Sequence, residues 1–567
     1  MSNWTKRDAS SSVKEVVLRN TGLTEEELLS PQRSPHLFHL EEAVQMIKTA
    51  VANKQRTYIM GDYDADGITA TSIMYLMLKE LDPGLRVIAR LPKRFSEGYG
   101  LNPKTVDEFD PDSFLITVDN GIGAVEAVQK AKDKNITVLV VDHHLAPEDG
   151  ILPNADCIID PHVDIDTESV FRDYCGAGLA YRIAEKLLPA DKLNYLKALA
   201  AVGTVADVMP LLHDNRNIVL DGLKVMSPPL NRKHWNSGLI SIINRLDLMD
   251  VPITAEDIGF KIGPIINAAG RMRDDGAALA FQTLVSDDEF EANNLAKELI
   301  DLNDSRKELV KTSIFEAEDI IADECLFGDH PMIVAGDFHE GIVGILAGRL
   351  AEQYKTPVIV LANVDGHNWK GSGRSYGDVH LKELLDTAVD LLVAYGGHAG
   401  AVGLTVSDDN LEALRSRLIE NMQDATVSKT EDEFYDLEIK SSDIPDVFEE
   451  LQKFAPYGEG NPKIIFKIDE FRLAPKYGKF FSKLGDGSIV KFNGHECDAI
   501  GFGLAEKYDF ADNPRLMNLY GVIGTNSFNG IVSKQIEVFD FEKMIDPAKP
   551  SSLMAALSQK MAGFNTR

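Results

Sequence analysis

The sequence predicts an α/β protein of two sheet-containing lobes followed by a small β-barrel, and three observations support this prediction. Apolar, β-branched runs alternate with helical segments between residues 51 and 225, which is typical of a parallel sheet buried on both faces. A similar alternation returns in residues 326–425, after long helix-forming runs between Glu291 and Ala322. Residues 434–545 instead contain short strands separated by glycine turns, which is typical of a small barrel.

Changes in composition and pattern divide the chain into six segments. The first segment is rich in serine and lysine and then amphipathic around Glu25–Leu29 and Leu40–Ile47, which predicts a helical extension. Two prolines at 228–229 interrupt a helical pattern, and a charged run at 431–433 marks a later boundary. The predicted segments are a helical extension (1–50), an α/β unit (51–225), a helical connector (226–325), a second α/β unit (326–425), a barrel (430–545) and a peripheral tail (546–567).

The charge balance is strongly acidic. The chain has 58 lysine and arginine residues against 89 aspartate and glutamate residues, a formal net charge of −31. This balance disfavours a protein that binds duplex DNA through a broadly basic surface, so a nucleic-acid substrate requires a confined path lined by lysine and arginine.

The cysteine pattern and the apolar runs predict where the protein acts. Four cysteines are scattered without a C-x-x-C spacing, which argues against a zinc site or a disulfide framework and favours a reducing compartment. The first residues are polar, and no apolar run approaches the length of a bilayer span. We therefore expect a cytoplasmic protein that does not enter a membrane.

Three carboxylates follow an apolar run at alternating positions, namely Asp62, Asp64 and Asp66. Carboxylates this close in sequence repel one another unless a cation compensates them. Because hard oxygen ligands suit Mg²⁺ and Mn²⁺, the cluster predicts a divalent-metal site. A solvated acidic turn is the alternative interpretation of the cluster taken alone.

Two further strand-like runs end in candidate ligands. The first leads into Asp119, and the second leads into Asp142, His143 and His144. Because ligands bind at the carboxyl ends of the strands in open α/β sheets, we expect these side chains to share one sheet edge with the three acids. A surface loop with satisfied imidazoles is the alternative for the histidine pair.

One more acid, Asp207, lies within an otherwise apolar stretch at 205–210. A buried carboxylate is unfavourable without a cation or a donor, so this residue is a further candidate ligand. Together the acids and histidines can hold two metal ions. Such a pair activates water and stabilises both the attacking and the leaving oxygen of an in-line phosphoryl displacement.

The second α/β unit lacks such a set of acids but contains candidate phosphate ligands. One glycine-rich segment, which we expect to be a flexible loop, offers the hydroxyls of Ser372 and Ser375 and the guanidinium of Arg374. Further along, Gly397 permits close backbone approach and places His398 beside it. The alternatives are a hairpin turn for the first segment and a helix C-cap for the second.

These motifs resemble those of a known enzyme family. The sequence Asp142-His143-His144 is the signature of the DHH phosphoesterases, and nine motifs follow the order of the RecJ family of exonucleases from about residue 55 to about 540. Phe338 stands where that family is expected to have tryptophan. The nine motifs are GDYDADG (61–67), VDNG (118–121), VDHH (141–144), GTVAD (203–207), NAAGRM (267–272), FHEGIVG (338–344), GSGRS (371–375), GGHAGAVG (396–403) and PYGEGNP (456–462).

The resemblance implies an architecture and a set of residue roles. It implies a DHH catalytic lobe with a parallel sheet, a DHH-associated substrate-binding lobe joined to it by a long helix, and a C-terminal OB-like barrel that binds nucleic acid. Two Mn²⁺ or Mg²⁺ ions would be held by Asp64, Asp66, Asp119, His143 and Asp207, with Asp119 as the bridge. The catalytic residues would be His144, Asp142 and Asp62. The phosphate of the substrate would be bound by Arg271, Ser372, Arg374, Ser375, Gly397 and His398.

The resemblance also implies an activity. We expect removal of 5′-mononucleotides from single-stranded DNA in the 5′→3′ direction, in DNA repair and recombination, within a cleft too narrow for duplex DNA. We also expect a monomer that works with a helicase and a single-strand-binding protein, although no motif in the sequence identifies either partner.

Three other functions share the metal core. They are a DHH phosphodiesterase acting on oligoribonucleotides or cyclic dinucleotides, a manganese pyrophosphatase, and a catalytically inactive DHH scaffold. The connector and the barrel favour a polymeric substrate, and the intact motif acids disfavour the scaffold.

Overall fold

The computed structural model describes residues 4–33, 36–147, 149–163, 171–228, 235–422, 433–485, 487–508, 515–528 and 531–544, and the predicted tail lies outside them. The helices are α1 Val13–Thr21, α2 Glu25–Leu29, α3 Leu40–Ala52, α4 Ala65–Leu81, α5 Pro103–Asp107, α6 Val125–Asp133, α7 Gly176–Leu187, α8 Asn194–Ala206, α9 His213–Met226, α10 Ser237–Arg245, α11 Ala255–Asp257, α12 Gly263–Met272, α13 Gly276–Val285, α14 Glu289–Asp323, α15 Val343–Tyr354, α16 Leu381–Asp386, α17 Leu411–Met422 and α18 Ile444–Phe454. The strands are β1 Thr5–Lys6, β2 Thr57–Met60, β3 Val87–Arg90, β4 Phe114–Val118, β5 Thr137–Val141, β6 Cys157–Ile159, β7 Met332–Gly336, β8 Val358–Asn363, β9 Asn368–Arg374, β10 Leu392–Gly397, β11 Ala401–Ser407, β12 Phe434–Tyr435, β13 Leu437–Lys440, β14 Phe466–Arg472, β15 Phe481–Leu484, β16 Ile489–Phe492, β17 Asp498–Gly501, β18 Leu516–Phe528 and β19 Ile531–Lys543.

The first lobe is built on a parallel sheet of five strands in the order β3-β2-β4-β5-β6. Alternate residues enter two different cores, because the side chains of a strand point to opposite faces. In β4, Ile116 faces the core formed with α3, α4, α7 and α8, whereas Leu115 faces the smaller core formed with α5 and α6. Met60 of β2 lies beside Thr117 of β4, which lies beside Val140 of β5. The loops that follow these three strands therefore share one edge.

The connector between the lobes ends in a helix of 35 residues, α14. At 1.5 Å per residue this helix is about 50 Å long. Its first half contributes Ala296 and Leu299 to the core of the first lobe, and its second half contributes Val310, Ala317 and Ile321 to a core of the second lobe. The helix is therefore part of both lobes.

The second lobe contains a mixed sheet in the order β10-β11-β9-β8-β7, in which β7 and β8 are parallel and the other neighbours are antiparallel. The segment that we expected to be a flexible loop, from Gly371 to Arg374, is instead the end of β9. It pairs with β8 on one side and β11 on the other. Gly371 is required there, because a Cβ atom would lie 2.4 Å from the carbonyl oxygen of Val360.

The C-terminal region is a seven-stranded sheet in the order β13-β14-β18-β19-β17-β16-β15. The N-terminal segment is divided between this region and the first lobe. Val13, Val16 and Val17 of α1 and Leu28 of α2 enter the C-terminal core, whereas α3 packs into the first lobe. The backbone reinforces this arrangement, because β1 pairs in parallel with β12.

A buried arginine joins these parts. Arg216 of α9 is 1% exposed. Its guanidinium donates to the carbonyl oxygens of Leu28, Phe454, Ala455 and Pro456 at 2.8, 2.9, 2.8 and 3.3 Å. The first lobe thereby holds the end of α2 and the end of α18.

None of the helices in the described ranges is both long and apolar enough to cross a membrane.

Candidate metal centre and substrate cleft

The loop between β2 and α4 presents its acids in a fixed arrangement because the helix begins inside the acidic motif. Asp64 is the N-cap, and its carboxylate accepts the N–H of Gly67 at 3.0 Å. From α12, the side-chain oxygen of Asn267 accepts the N–H of Ala65 at 2.7 Å. The connector thus helps to position the first acids of the site.

Asp66 lies in the first turn of α4 and is held by a second helix. Its two carboxylate oxygens accept the N–H groups of Gly176 and Ala177, at the start of α7, at 2.6 and 2.9 Å. A carboxylate at a helix N-terminus is stabilised by free N–H groups and by the helix dipole. A Cβ atom on Gly176 would lie 2.6 Å from the Cβ of Asp119, so glycine allows α7 to approach the acids closely.

Three more elements bring ligands to the same point. Asp119 follows β4 with a left-handed φ of 60°, and Asp207 is the C-cap of α8. The Nε2 atom of His143, which follows β5, lies 3.0 Å from Oδ1 of Asp119, 3.7 Å from Oδ2 of Asp207 and 3.9 Å from Oδ2 of Asp66. The structure therefore places Asp66, Asp119 and Asp207 around one imidazole.

The second histidine of the motif is oriented by its neighbours. Nδ1 of His144 lies 2.8 Å from Oδ1 of Asp142, whose other oxygen accepts the N–H of Ile122 at 2.8 Å. The hydroxyl of Tyr99 donates to the carbonyl of Asp119 at 2.8 Å and lies 3.2 Å from the His144 ring. Burial opposes the charged form of His144, but the hydrogen bond and charge of Asp142 outweigh it and raise the pKa to about 9.

The acids of the site disfavour one another's ionisation. Burial, followed by the charge of Asp64, raises the pKa of Asp62. Burial, followed by the charges of Asp66 and Asp64, raises the pKa values of Asp119 and Asp207, the latter to about 8. A cation is therefore needed to keep these carboxylates charged at neutral pH.

The donor set fits divalent metal ions. Oδ1 of Asp62 and Oδ2 of Asp207 are buried and have no hydrogen-bond partner among the described residues, which leaves both oxygens available as ligands. Carboxylate oxygens and a neutral imidazole suit Mn²⁺ and Mg²⁺. Burial lowers the pKa of His143, which favours the neutral ring. Three overlapping sets have ligand atoms within 4.8 Å of one another: Asp62, Asp64 and Asp119; Asp66, His143 and Asp207; Asp119, His143 and His144.

Arginines gather where the two lobes meet. Arg271 of α12 donates to the carbonyl of Gly341 in the second lobe at 3.4 Å. Burial, followed by the charges of Arg94 and Arg306, lowers the pKa of Arg271 to about 10. Within the described ranges, none of the five arginines that interact here forms a direct ion pair with a carboxylate, although the charge of Asp64 acts on Arg271. An anion would relieve their mutual repulsion, and phosphate is an anion that guanidinium binds through two parallel hydrogen bonds. The five are Arg94, Arg271, Arg306, Arg349 and Arg374.

The remaining predicted phosphate ligands lie on neighbouring strands of the second lobe. The hydroxyl of Ser372 accepts from Arg374 at 2.8 Å and donates to the carbonyl of Val402 at 3.1 Å, so it fixes the guanidinium. The hydroxyl of Ser375 donates to the carbonyl of Val379. Gly397 ends β10 with a φ of 135°, and the exposed His398 follows in the turn to β11.

Several residues at this site were not predicted from the sequence. Asp160 follows β6 at the same sheet edge, is 0% exposed, and has an unpartnered Oδ2 atom among the described residues. Its short apolar strand was the available signal. Asn267 and Arg306 reach the site from the connector, and Arg94 and Tyr99 from the loop between β3 and α5, so no pattern of a buried strand ending in a ligand marks them.

Comparison with known families gives three consecutive matches. The family model described as the DHH family, N-terminal domain, matches residues 56–204. The DHHA1 domain matches residues 329–424, and the RecJ OB domain matches residues 435–540. These matches follow the order of the two lobes and the C-terminal sheet.

The similar proteins agree with these matches. The single-stranded-DNA-specific exonuclease RecJ of Bacillus subtilis is 32% identical over 88% of this chain, which spans 63% of that protein. The RecJ exonuclease of Haemophilus influenzae is 30% identical, with 93% of this chain and 95% of that protein covered. The crystal structure of RecJ from Thermus thermophilus in complex with Mn²⁺ has a TM-score of 0.74 and 27% identity, with 94% of this chain and 76% of that chain covered. The same protein in complex with Mg²⁺ has a TM-score of 0.67. The fold prediction is therefore confirmed, and the chain belongs to the RecJ family of DHH-domain exonucleases.

Proposed function

We propose that this chain is a metal-dependent exonuclease that degrades single-stranded DNA from the 5′ end to 5′-mononucleotides, in DNA repair and recombination. One observation supports it most directly: a buried set of acids and imidazoles adjoins a group of arginines that lack carboxylate partners among the described residues. The first group suits metal ions, and the second suits phosphate. The curated relatives are named as exonucleases specific for single-stranded DNA.

Two Mn²⁺ or Mg²⁺ ions are the proposed cofactors. Asp119 is the proposed shared ligand, because it belongs to two of the ligand sets at this edge and its carboxylate, unlike the imidazole of His143, has two oxygen atoms to offer. When bound, such ions supply activated water and stabilise negative charge on the phosphate oxygens. The further proposed ligands are Asp64, Asp66, His143 and Asp207, with Asp62 beside them.

His144 is the proposed proton donor to the leaving oxygen. Its raised pKa means that the ring holds a proton at neutral pH. Because Nδ1 faces Asp142, the proton on Nε2 is the one available to substrate. Asp142 in turn is held by the N–H of Ile122, so it orients the ring without moving towards the substrate.

The arginines are proposed to anchor the DNA backbone. Arg374, which is braced by Ser372, and Arg271 would each contact a phosphate oxygen. Ser375, Gly397 and His398 would line the same surface of the second lobe. Because these contacts engage phosphate rather than base edges, cleavage is expected to be independent of sequence.

The test is hydrolysis of one single-stranded DNA labelled separately at its two ends, in Mn²⁺. We expect immediate release of the 5′ label as a mononucleotide and gradual shortening of the 3′-labelled strand. Asp64→Ala should be inactive, whereas Asp133→Ala, an exposed acid on α6, should match the parent. Release of the 3′ label first would contradict the direction, and hydrolysis of dinucleotides alone would favour a small phosphodiesterase.

The finer assignments belong to the same proposal. We propose a monomer with the six segment boundaries given above, acting in the cytoplasm with a helicase and a single-strand-binding protein. Gel filtration with light scattering tests the monomer, because a mass of twice 62.4 kDa would contradict it.

A further inference from the structure

A second group of metal-ligating side chains lies where α3 meets the edge of the first sheet. His39 precedes α3, Glu42 lies in its first turn, and Cys157 begins β6, the edge strand next to β5. A histidine nitrogen, a carboxylate oxygen and the thiol sulfur all lie within 4.8 Å of one another. His39 and Glu42 are three residues apart, but Cys157 lies far from both in the sequence, so no local spacing motif marks the group.

The histidine of this group is oriented as metal-binding histidines are. Nδ1 of His39 lies 2.9 Å from the carbonyl oxygen of Ile158 and must donate to it. The neutral ring therefore has its lone pair on Nε2. A hydrogen bond from the other ring nitrogen to a carbonyl is the usual support of a metal-ligating histidine. The ring is further fixed by stacking on Phe38, with ring centroids 3.7 Å apart.

The lone pair of His39 faces a negative charge. Nε2 lies 3.7 Å from Oε2 of Glu42, so either a proton on Nε2 or a metal ion between the two atoms would satisfy both groups. Tetrahedral ligands of Zn²⁺ are about 3.5 Å apart, close to this separation. The His39 and Glu42 side chains are 37% and 61% exposed, so an ion and a water molecule can reach them.

The sulfur determines the kind of metal. Cys157 is 4% exposed, and its Sγ contacts the carbonyl oxygen of His39 at 3.9 Å. A thiolate, an imidazole and a carboxylate together suit Zn²⁺ and related transition metals rather than Mg²⁺ or Mn²⁺. Burial, followed by the charges of Glu42 and Asp156, raises the pKa of the thiol to about 12, so metal binding must release its proton to solvent.

We propose that His39, Glu42 and Cys157 form a second metal site, selective for Zn²⁺-type ions, which fastens α3 to the edge strand β6. The site is distinct from the acid cluster, because none of its three residues belongs to the ligand sets of that cluster. Bound metal would stabilise the folded chain, since the three ligands come together only on folding. The proposal is independent of the exonuclease activity.

The test uses Co²⁺ as a spectroscopic substitute for Zn²⁺, added to the full chain in excess Mn²⁺. Thiolate-to-cobalt charge-transfer absorption reports sulfur ligation only, so the band must be assigned to Cys157 rather than to Cys175, whose thiol lies beside Asp66 of the catalytic centre. We expect this absorption to saturate at about one Co²⁺ per chain and to disappear when Zn²⁺ is added. Absence of the band in the parent protein would overturn the proposal.

Matched variants identify the ligands. Cys157→Ser and His39→Gln should abolish the band, and Glu42→Gln should weaken Co²⁺ binding at least about tenfold. Cys325→Ser, which removes the exposed thiol, should leave the band unchanged. Survival of the band in Cys157→Ser, or its loss in Cys325→Ser, would overturn the assignment.

A measurement of stability covers the case in which Cys157→Ser does not fold. In excess Mn²⁺, added Zn²⁺ should raise the Tm of the parent but not that of His39→Gln, whose altered side chain is partly exposed. An equal rise in Tm in the two proteins would show that Zn²⁺ stabilises through another site, and the proposal would fail.

Discussion

Replacement of Arg216 by methionine tests how the C-terminal region is held to the first lobe. Methionine has a similar length and stays apolar, so the change removes the donors without leaving a large cavity. The guanidinium has no carboxylate partner among the described residues and is compensated by backbone carbonyls alone. Burial lowers its pKa to about 10, so it is charged at neutral pH.

The expected loss in the free energy of unfolding depends on which carbonyls keep another hydrogen-bond donor in the variant. The carbonyls of Phe454 and Pro456 also accept from the side-chain amide of Asn461, at 3.1 and 2.9 Å, and keep that bond in the variant. The carbonyls of Leu28 and Ala455 lose the arginine and have no other donor in the described part of the chain. A buried unsatisfied polar group costs about 1–3 kcal/mol, so two cost about 2–6 kcal/mol.

Urea unfolding of the parent and of Arg216→Met measures the difference. We expect a loss of about 4 kcal/mol in the free energy of the first unfolding transition, and about half of that for Arg216→Lys, whose ammonium can still reach some of the carbonyls. Arg245→Met, which alters an exposed arginine of α10, should change the same quantity by less than about 0.5 kcal/mol. A loss below about 1 kcal/mol for Arg216→Met would refute the reasoning.

Three other predictions concern the site. In EDTA, the Tm should fall by at least about 3 °C as the pH rises from about 5 to about 8. The reason is that the folded chain keeps a proton on Asp207, whose pKa is raised to about 8, after the unfolded chain has released its proton near pH 3.8. Mn²⁺ should remove this fall in Tm. A Tm that stays level in EDTA would contradict the assignment. Arg306→Gln should raise KM for single-stranded DNA about tenfold and leave kcat within about twofold. It should also reduce the steepness of the plot of log binding constant against log salt concentration by about one. An unchanged KM and an unchanged slope would exclude a phosphate contact. Gly341→Ala should lower the rate of nucleotide release at least about tenfold, because its Cβ would lie 1.9 Å from the carbonyl oxygen of Arg271. Gly396→Ala is the control and should match the parent, because its Cβ would enter open space. Similar losses in both variants would reject this explanation.

The sequence was most informative where chemistry follows a buried strand. β2, β4 and β5 were recognisable as apolar β-branched runs, and a parallel sheet brings their carboxyl ends to one edge. The acids and histidines after those strands, including Asp119 and His143, could therefore be assigned to one site before their distances were known. Asp207 was recognised by a different signal, an acid in an apolar stretch.

Sequence patterns were less informative where the site depends on tertiary approach. Arg306 lies on a long polar helix, where most arginines are solvated, and only packing of the lobes brings it to Arg271. The segment before Ser375 contains glycines typical of a loop, yet it is a strand. Its glycine at 371 reflects the close approach of a neighbouring strand rather than a turn, which is a tertiary requirement without a local pattern.

The shared helix α14 has a consequence for how this family can change in length. Residues 304–308, near its middle, are mostly exposed, and exposed segments usually tolerate insertions. One extra residue here would rotate the second lobe by about 100° relative to the first, and seven extra residues would restore the phase but add about 10 Å between the lobes. No insertion preserves both the angle and the span across the cleft. We therefore expect homologues to vary in sequence at the exposed positions of this stretch, but to keep Arg306, while its number of residues stays constant.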